Sequence, residues 1–313
     1  MSPSFTLLER VQRNAPLGLR FWDLAAGTAV AEGLQVDVFA RRNPQAGVRA
    51  FSNRSGIYCA IGLPGLRDFE FSSADDDASW LAALRPYRVE VRDPLGRFLP
   101  FAFDADAPVR GLFAGLPPLT ATPYPLPWLA GSMSPPPALM TGIPLFSAPS
   151  RPVPEPLAQV RAQLFESGAG RLSAWSLLAA HVDGRLAGVG MADDQGRVAL
   201  LFPYPQRPRP MLLTSPPPAR NDFRWSIEFS AHCVPRAAAT AAPELPSIDQ
   251  LLAQLATPRT LLAATLPAAR PLGPQLLEYR VPLTCAPTSA RPGRRRPCSS
   301  MRSEPASTGR LEE

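Results

Sequence analysis

The sequence predicts an all-β protein: two small antiparallel β-sandwich modules joined by an extended proline-rich connector, with one short C-terminal amphipathic helix. Apolar and polar residues alternate over short stretches, which is the period of a strand with one buried face. Turn signals of the Asx-x-x-Gly and Asp-Gly types separate these stretches. Proline occupies 40 of the 313 positions, far above the usual share of about 5 %, which disfavours long helices.

The best-defined module begins at Leu157. Its first strand alternates, with Val160, Ala162 and Leu164 on one side. An apolar stretch follows and reaches the tight turn Asp183-Gly184, and the return strand ends at a second turn, Asp193 to Gly196. A last apolar strand stops at Pro203 and Pro205, because proline cannot donate to a β ladder.

This order of turn, Asp-x-x-Gly, apolar strand and proline resembles the carboxypeptidase regulatory-like (transthyretin-like) β-sandwich family. The resemblance covers about fifty residues and rests on turn chemistry. It implies a fold and not an activity.

The first module shows the same pattern. Asn53 to Gly56 forms an Asx-x-x-Gly turn ahead of an apolar strand and Pro64, and an alternating strand follows about 30 residues later, as in the second module. We interpret the two modules as a divergent internal repeat in which Gly56 and Gly196 are equivalent and take positive φ. The predicted order is an N-terminal arm (1–16), module 1 (17–110), the connector (111–156), module 2 (157–234), a region with a connector, short helix and closing strand (235–285), and a disordered basic tail (286–313).

The connector contains no charged residue between Gly111 and Ser150, and its apolar residues follow neither a helical nor a strand period. It is too apolar for an ordinary solvated linker and too rich in proline for a helix. Either it lies over its own sandwiches or it packs against another subunit. Tyr124, Trp128 and Leu129 are the predicted partner-binding residues, because large apolar side chains anchor interfaces.

The C-terminal helix is predicted to start at Ser247. Ser247 can cap the first amides while Gln250 reaches back, and the apolar residues that follow form one stripe. A final strand is expected from Leu277 to Leu283.

Charge and cysteine usage exclude several classes. The net charge is +6, of which the tail carries +3 (six arginines, three glutamates), so the other 285 residues carry only +3 and predict no nucleic-acid partner. The four cysteines include no C-x-x-C pair, which argues against zinc and favours reduced thiols in the cytoplasm. The N-terminus lacks an apolar leader, and the uncharged stretch is too broken by proline to span a membrane.

No catalytic, cofactor or metal motif emerges. Asp75 to Asp77 can be read as a cation loop or as a helix start before Trp80; consecutive aspartates favour the helix start. We interpret His181 as an ordinary strand residue and Cys233, beside His232, as a buried thiol. The five tryptophans allow a sugar-stacking platform, but Trp22 and Trp225 lie in alternating strands and are expected in the core. Trp128 is expected to be exposed or to face a partner.

The sequence therefore predicts a non-enzymatic structural or assembly protein whose partners are other protein subunits. The stretch from Val89 to Pro100, with the connector and the strand after it, also resembles proteins associated with phage-tail-like contractile injection systems. That resemblance implies a baseplate or tail accessory subunit. The alternative is a glycan- or surface-binding adhesion module, and an enzyme with a dispersed site is a third hypothesis.

Overall fold

A computed structural model of the chain describes residues 13–73, 77–113, 142–154, 157–166, 171–205, 223–234, 244–263 and 270–285, together with the backbone of residues 301–303. Most of this part of the chain is β, which confirms the predicted fold class.

The elements follow one another in this order. Up to residue 145 the chain forms β1 (Leu17–Leu19), β2 (Phe21–Asp23), β3 (Thr28–Ala29), β4 (Gln35–Ala40), β5 (Asn43–Arg49), β6 (Phe51–Ser52), β7 (Tyr58–Ala60), α1 (Arg67–Glu70), α2 (Asp77–Leu81), β8 (Arg85–Arg92), β9 (Phe101–Ala107) and β10 (Ile143–Leu145). Beyond it the chain forms β11 (Leu157–Glu166), β12 (Leu177–Val182), β13 (Arg185–Met191), β14 (Arg197–Pro203), β15 (Arg224–His232), α3 (Ile248–Ala253), a 3-10 turn (Gln254–Ala256), β16 (Pro258–Arg259), β17 (Leu261–Ala263), β18 (Arg270–Pro271), β19 (Gln275–Glu278), β20 (Leu283–Cys285) and β21 (Met301–Ser303).

The pairing of the strands repeats between the modules. In module 1, β4 pairs with β5 and β8, while β1 pairs with β7 in another sheet. In module 2, β12 pairs with β13 and β15, while β11 pairs with β14. All of these pairings are antiparallel, so these three pairs of strands follow the same pattern in each module, while the remaining strands of the sheets differ.

The two modules are fused through a shared sheet. On β12, Leu177 and Ala179 pack into the first hydrophobic cluster with the strands of module 1, whereas Leu178 and Ala180 pack into the second cluster with β11 and β14. The sheet that contains β12 therefore has a core on each of its faces. This explains why residues 177–180 of β12 are apolar at consecutive positions instead of alternating.

The turn glycines behave as predicted. Gly56 has a φ of 71° and Gly196 a φ of 70°, the left-handed region that glycine enters at little cost. In each turn the amide of the glycine donates to the carbonyl of the Asx residue, at 2.9 Å for Asn53 and 3.0 Å for Asp193.

Helix α3 confirms the predicted C-terminal helix, but its start differs from the predicted capping. The side chain of Ser247 makes no capping hydrogen bond. Instead, Ser247 forms a parallel β-bridge with Ala102 of β9, and the amide of Ala102 donates to the carbonyl of Pro246 (2.9 Å). The buried side of α3, with Ile248 and Leu251, joins the first cluster. Two further helices, α1 and α2, lie between β7 and β8, and α2 begins at Asp77, within the aspartate run that predicted a helix start.

Three segments have a different structure from the one predicted from the sequence. Both ends of the predicted connector enter sheets, because residue 112 bridges to Gly18 and β10 pairs in parallel with β2. The predicted closing strand is divided into β19 and β20. In the predicted disordered tail, the backbone of β21 pairs with β11 and β17, whose edges supply hydrogen-bond partners that the tail's composition did not reveal.

Candidate functional site

The predicted partner-binding residues Tyr124, Trp128 and Leu129 lie outside the residues that the structure describes. They belong to residues 114–141, a stretch without any charged side chain.

The chain is anchored on both sides of this stretch. Before it, the amide of Phe113 donates to the carbonyl of Gly18 (2.8 Å). After it, the amide of Ile143 donates to the carbonyl of Arg20 (2.7 Å). The two anchoring carbonyls are only two positions apart on module 1, so residues 113 and 143 are held at one place on the protein.

A buried ion pair between Arg151 and Asp23 connects a loop to a strand in this protein. The guanidinium of Arg151 donates to both carboxylate oxygens of Asp23, at 3.0 and 2.6 Å, and also to Ser147. Its cationic carbon lies 4.9 Å from the centroid of the Phe98 ring. Arg151 and Asp23 are both buried, so this pair ties the loop after β10 to the end of β2.

A second buried carboxylate holds the chain near its N-terminus. Glu70 in α1 is fully buried, and one of its oxygens accepts a hydrogen bond from Arg13 Nε at 2.6 Å. The other oxygen accepts from the amide of Gly62. This carboxylate therefore joins the N-terminal arm at Arg13 to α1 and to the loop at Gly62 in module 1.

Two loops have the same Asp-x-x-Gly-Arg sequence and the same hydrogen bonds. Asp93 accepts from the amide of Arg97 (2.7 Å) and from its Nε (3.0 Å). Asp193 accepts from the amide and the Nε of Arg197, both at 2.8 Å. The predicted repeat pairs Asp193 with Asn53 and does not include Asp93, although the arginine directly after the glycine is a sequence signal that Asp93 and Asp193 share.

A cleft with a volume of about 740 Å³ lies between the modules, at the Asp193 turn. Module 1 contributes Pro100 and the connector contributes Pro149, while module 2 contributes Trp175 and charged residues of both signs, among them Asp194 and Arg161. Trp175 is 7 % exposed and has a φ of 60°, which is unusual for a large side chain. Its amide donates to the carbonyl of Asp193 (3.4 Å), so the turn helps to hold this strained backbone in place.

The two histidines lie on two paired strands of the shared sheet, where His181 is opposite Glu228 and His232 is opposite Leu177. His232 is fully buried, and its Nε2 is 3.2 Å from Oγ of Ser230. Burial lowers the pKa of His232 to about 4, with a further lowering from His181, while a hydrogen bond to the backbone of Gln254 raises it. Burial also lowers the pKa of His181, against the raising effect of Glu228. His232 is not among the residues that line the cleft between the modules. We interpret its buried imidazole as part of the packing under α3.

A cluster of aromatic side chains at the end of module 2 was not anticipated as a group. The rings of Tyr204 and Tyr279 have centroids 4.8 Å apart, and Trp225 lies behind them, 5.5 Å from Tyr204. Phe223 stacks on Trp225 at 6.4 Å. Trp225 belongs to the second cluster, as predicted, but the half-buried tyrosines come from two separate strand ends that only the fold brings together.

The described part of the chain contains no group of three or more His, Cys, Asp or Glu residues placed to hold a metal ion. Among the same residues, Cys59, Cys233 and Cys285 are free thiols, and Cys233 is buried, as predicted. None of the described helices combines the length and the apolar character that crossing a membrane requires.

Comparisons with protein-family models, with curated proteins and with solved structures find no match for this chain. The two resemblances seen in the sequence therefore stay predictions.

Proposed function

We propose that this protein is a non-enzymatic structural subunit of a larger protein assembly. The observation that carries the proposal is the fusion of two sandwiches through one sheet with a core on each face. Such a body holds its surfaces in a fixed relative position, which is what an assembly subunit requires. The buried Asp23–Arg151 and Glu70–Arg13 pairs add to this role, because their charged groups join segments of the scaffold.

On the resemblance of residues 89–100 and their surroundings, the assembly is a phage-tail-like contractile injection system, and this chain is a baseplate or tail accessory subunit. A cytoplasmic location belongs to the same proposal, since reduced thiols are expected there. The uncharged stretch 114–141, anchored at both ends on module 1, is the surface proposed to contact neighbouring subunits.

The test is a double variant, Trp128→Ala with Leu129→Ser, expressed among its native partners. We expect co-purification with the complex to be lost while far-UV circular dichroism and the melting temperature stay unchanged. The matched control is Phe51→Ala with Leu95→Ser, which removes two apolar side chains that are 52 % and 67 % exposed on module 1. Full incorporation of the first variant, or equal loss in both variants, contradicts the proposed contact surface.

The cleft between the modules favours a second candidate function, binding of a glycan. Carboxylate, amide and guanidinium groups on its rim can bind neighbouring hydroxyls in pairs, and Asp194, Gln195 and Arg161 supply one of each. Titration calorimetry against a panel of neutral and acidic oligosaccharides tests this candidate, with Asp194→Ala as the variant. A saccharide that binds the parent protein and binds at least tenfold more weakly to Asp194→Ala supports it; no heat with any sugar rules it out for that panel.

A further inference from the structure

A pocket with a volume of about 460 Å³ lies where the N-terminal arm meets the loop between β7 and α1. Its lining includes two arginines, Arg13 and Arg67, and the buried Glu70. The other lining residues are Phe71 and the loop residues 62–65. Because Arg13 and Glu70 form a neutral ion pair, Arg67 gives the lining a net positive charge.

The loop that lines this pocket uses its carbonyl groups within module 1. The carbonyl of Gly65 accepts a hydrogen bond from Nη1 of Arg85 (2.8 Å). The carbonyl of the preceding Pro64 accepts from the hydroxyl of Tyr87 (2.7 Å). These bonds hold the loop on β8, and they engage acceptors that would otherwise repel an anion in the pocket.

Glu70 orients the guanidinium of Arg13. One carboxylate oxygen contacts both Nε (2.6 Å) and Nη2 (2.5 Å) of Arg13, and the other accepts from the amide of Gly62. Cζ of Arg13 also lies 5.8 Å from the centroid of the Phe71 ring. The Arg13 side chain is nevertheless 48 % exposed, and these contacts do not use the N–H groups of its Nη1. A buried carboxylate thus holds an accessible donor group at the pocket.

Arg67 supplies a second guanidinium from another segment. It is an exposed residue of α1, and its side chain makes neither a hydrogen bond nor an ion pair with any residue that the structure describes. The neighbouring Asp68 is also exposed but does not line the pocket. The pocket therefore combines available N–H donors with acceptors that are already engaged, and such a lining suits an anion rich in hydrogen-bond acceptors.

A phosphate group fits this arrangement better than a carboxylate. Guanidinium groups form charge-assisted hydrogen bonds with both kinds of oxyanion. The two oxygens of a carboxylate lie in one plane, whereas a phosphate directs its oxygens to different sides, and the two arginines come from separate segments. The volume of about 460 Å³ lies within the range of small-molecule sites, so the pocket has room for a phosphate monoester as well as for the free ion.

We propose that the pocket between Arg13 and Arg67 binds a phosphate group, either as the free ion or as the monoester of a small molecule. Nη1 of Arg13 and the guanidinium of Arg67 donate to the phosphate oxygens, and Glu70 is a positioning residue that acts through Arg13. The site lies on module 1 and away from the cleft between the modules. It depends neither on the proposed assembly function nor on the glycan candidate.

The experiment measures binding to the purified full-length chain by titration calorimetry. Sodium chloride keeps the ionic strength constant, so that the general screening of charges does not change between titrations. The probes are inorganic phosphate, phenyl phosphate and, as the matched carboxylate, benzoate. We expect at least one phosphate to bind and benzoate to bind at least tenfold more weakly than the tighter phosphate. Tighter binding of phenyl phosphate identifies a monoester as the ligand, whereas equal or tighter binding of inorganic phosphate identifies the free ion.

Three variants assign the binding to this pocket. Arg67→Gln changes an exposed side chain, so it should weaken phosphate binding at least tenfold with an unchanged melting temperature. Arg13→Lys keeps a positive charge beside Glu70 but removes the planar donor group, and it should weaken binding severalfold. Arg270→Gln is the matched control, because it makes the same change of charge on the exposed β18 and should leave binding unchanged. No heat with either phosphate, benzoate binding as tight as phosphate binding, full binding in either pocket variant, or an equal loss in Arg270→Gln overturns the proposal.

Discussion

Replacing Gly196 by alanine tests how the Asp193 turn is attached to the rest of module 2. Gly196 has a φ of 70°, and a Cβ on it would lie 2.6 Å from the carbonyl oxygen of Leu164. That carbonyl accepts a hydrogen bond from the amide of Ser173 (2.9 Å), while the amide of Leu164 donates to the carbonyl of Gly196 (2.8 Å). The clash therefore falls on backbone that cannot move without breaking hydrogen bonds.

The expected cost has two parts. The left-handed conformation costs a residue with a side chain about 1 kcal/mol. Separating Leu164 from the turn weakens two hydrogen bonds worth about 1 kcal/mol each, so Gly196→Ala should lower the free energy of unfolding by about 3 kcal/mol. Gly184 is the matched control, because its φ is 71° and a Cβ on it would meet nothing within 4 Å. Gly184→Ala should therefore cost only about 1 kcal/mol.

The assay is urea denaturation followed by circular dichroism, supported by thermal melts. At roughly 2–4 °C per kcal/mol, the melting temperature should fall by roughly 6–12 °C for Gly196→Ala and by roughly 2–4 °C for Gly184→Ala. Equal losses in the two variants would refute the steric part of the argument, because both share the same backbone conformation. An unchanged stability in both would refute the conformational part as well.

Two further predictions concern buried ionisable groups. Arg151→Met leaves the carboxylate of Asp23 buried without its cation and should lower the free energy of unfolding by about 3–5 kcal/mol in urea denaturation. The double variant with Asp23→Asn should recover most of that loss. A loss below about 1 kcal/mol in the single variant would contradict this role. His232 has a folded-state pKa of about 4, below its unfolded value of about 6.5, so the unfolded chain binds the proton first as the pH falls. Stability should therefore be fully present above about pH 6.5 and decrease by up to about 3 kcal/mol as the pH falls to 4. His232→Gln should remove that part of the pH dependence in parallel denaturation curves, and an unchanged slope would show that other groups cause it.

The local features of the fold were open to prediction because they depend on a few adjacent residues. The turns at Asn53 and Asp193 are specified by an Asx side chain that accepts amide hydrogen bonds and by a glycine three residues later. Helix α3 has its apolar residues on one face, so its burial followed from its spacing. The recurrence of these signals at similar intervals predicted two related modules but did not specify which strands pair.

The arrangement of the layers depends on contacts between distant parts of the chain. The consecutive apolar residues of β12 indicate that both faces of the strand are buried. The residues that cover the second face belong to module 1 and α3, which the local sequence cannot indicate. The partner of β10 lies more than one hundred residues away in β2, and the pairing is parallel, which no turn can signal. Tyr204 and Tyr279 likewise meet only because β14 and β19 end at the same side of module 2.

The shared sheet also determines whether the two modules can be expressed as separate fragments. A cut near residue 157 would separate the modules along the sequence but would leave Leu177, Ala179 and Val189 of one fragment without the neighbours that cover them. The other fragment would lose the side chains that module 2 contributes to the first cluster. Each half would present a broad apolar face to water and aggregate, so we expect that neither module can be expressed alone.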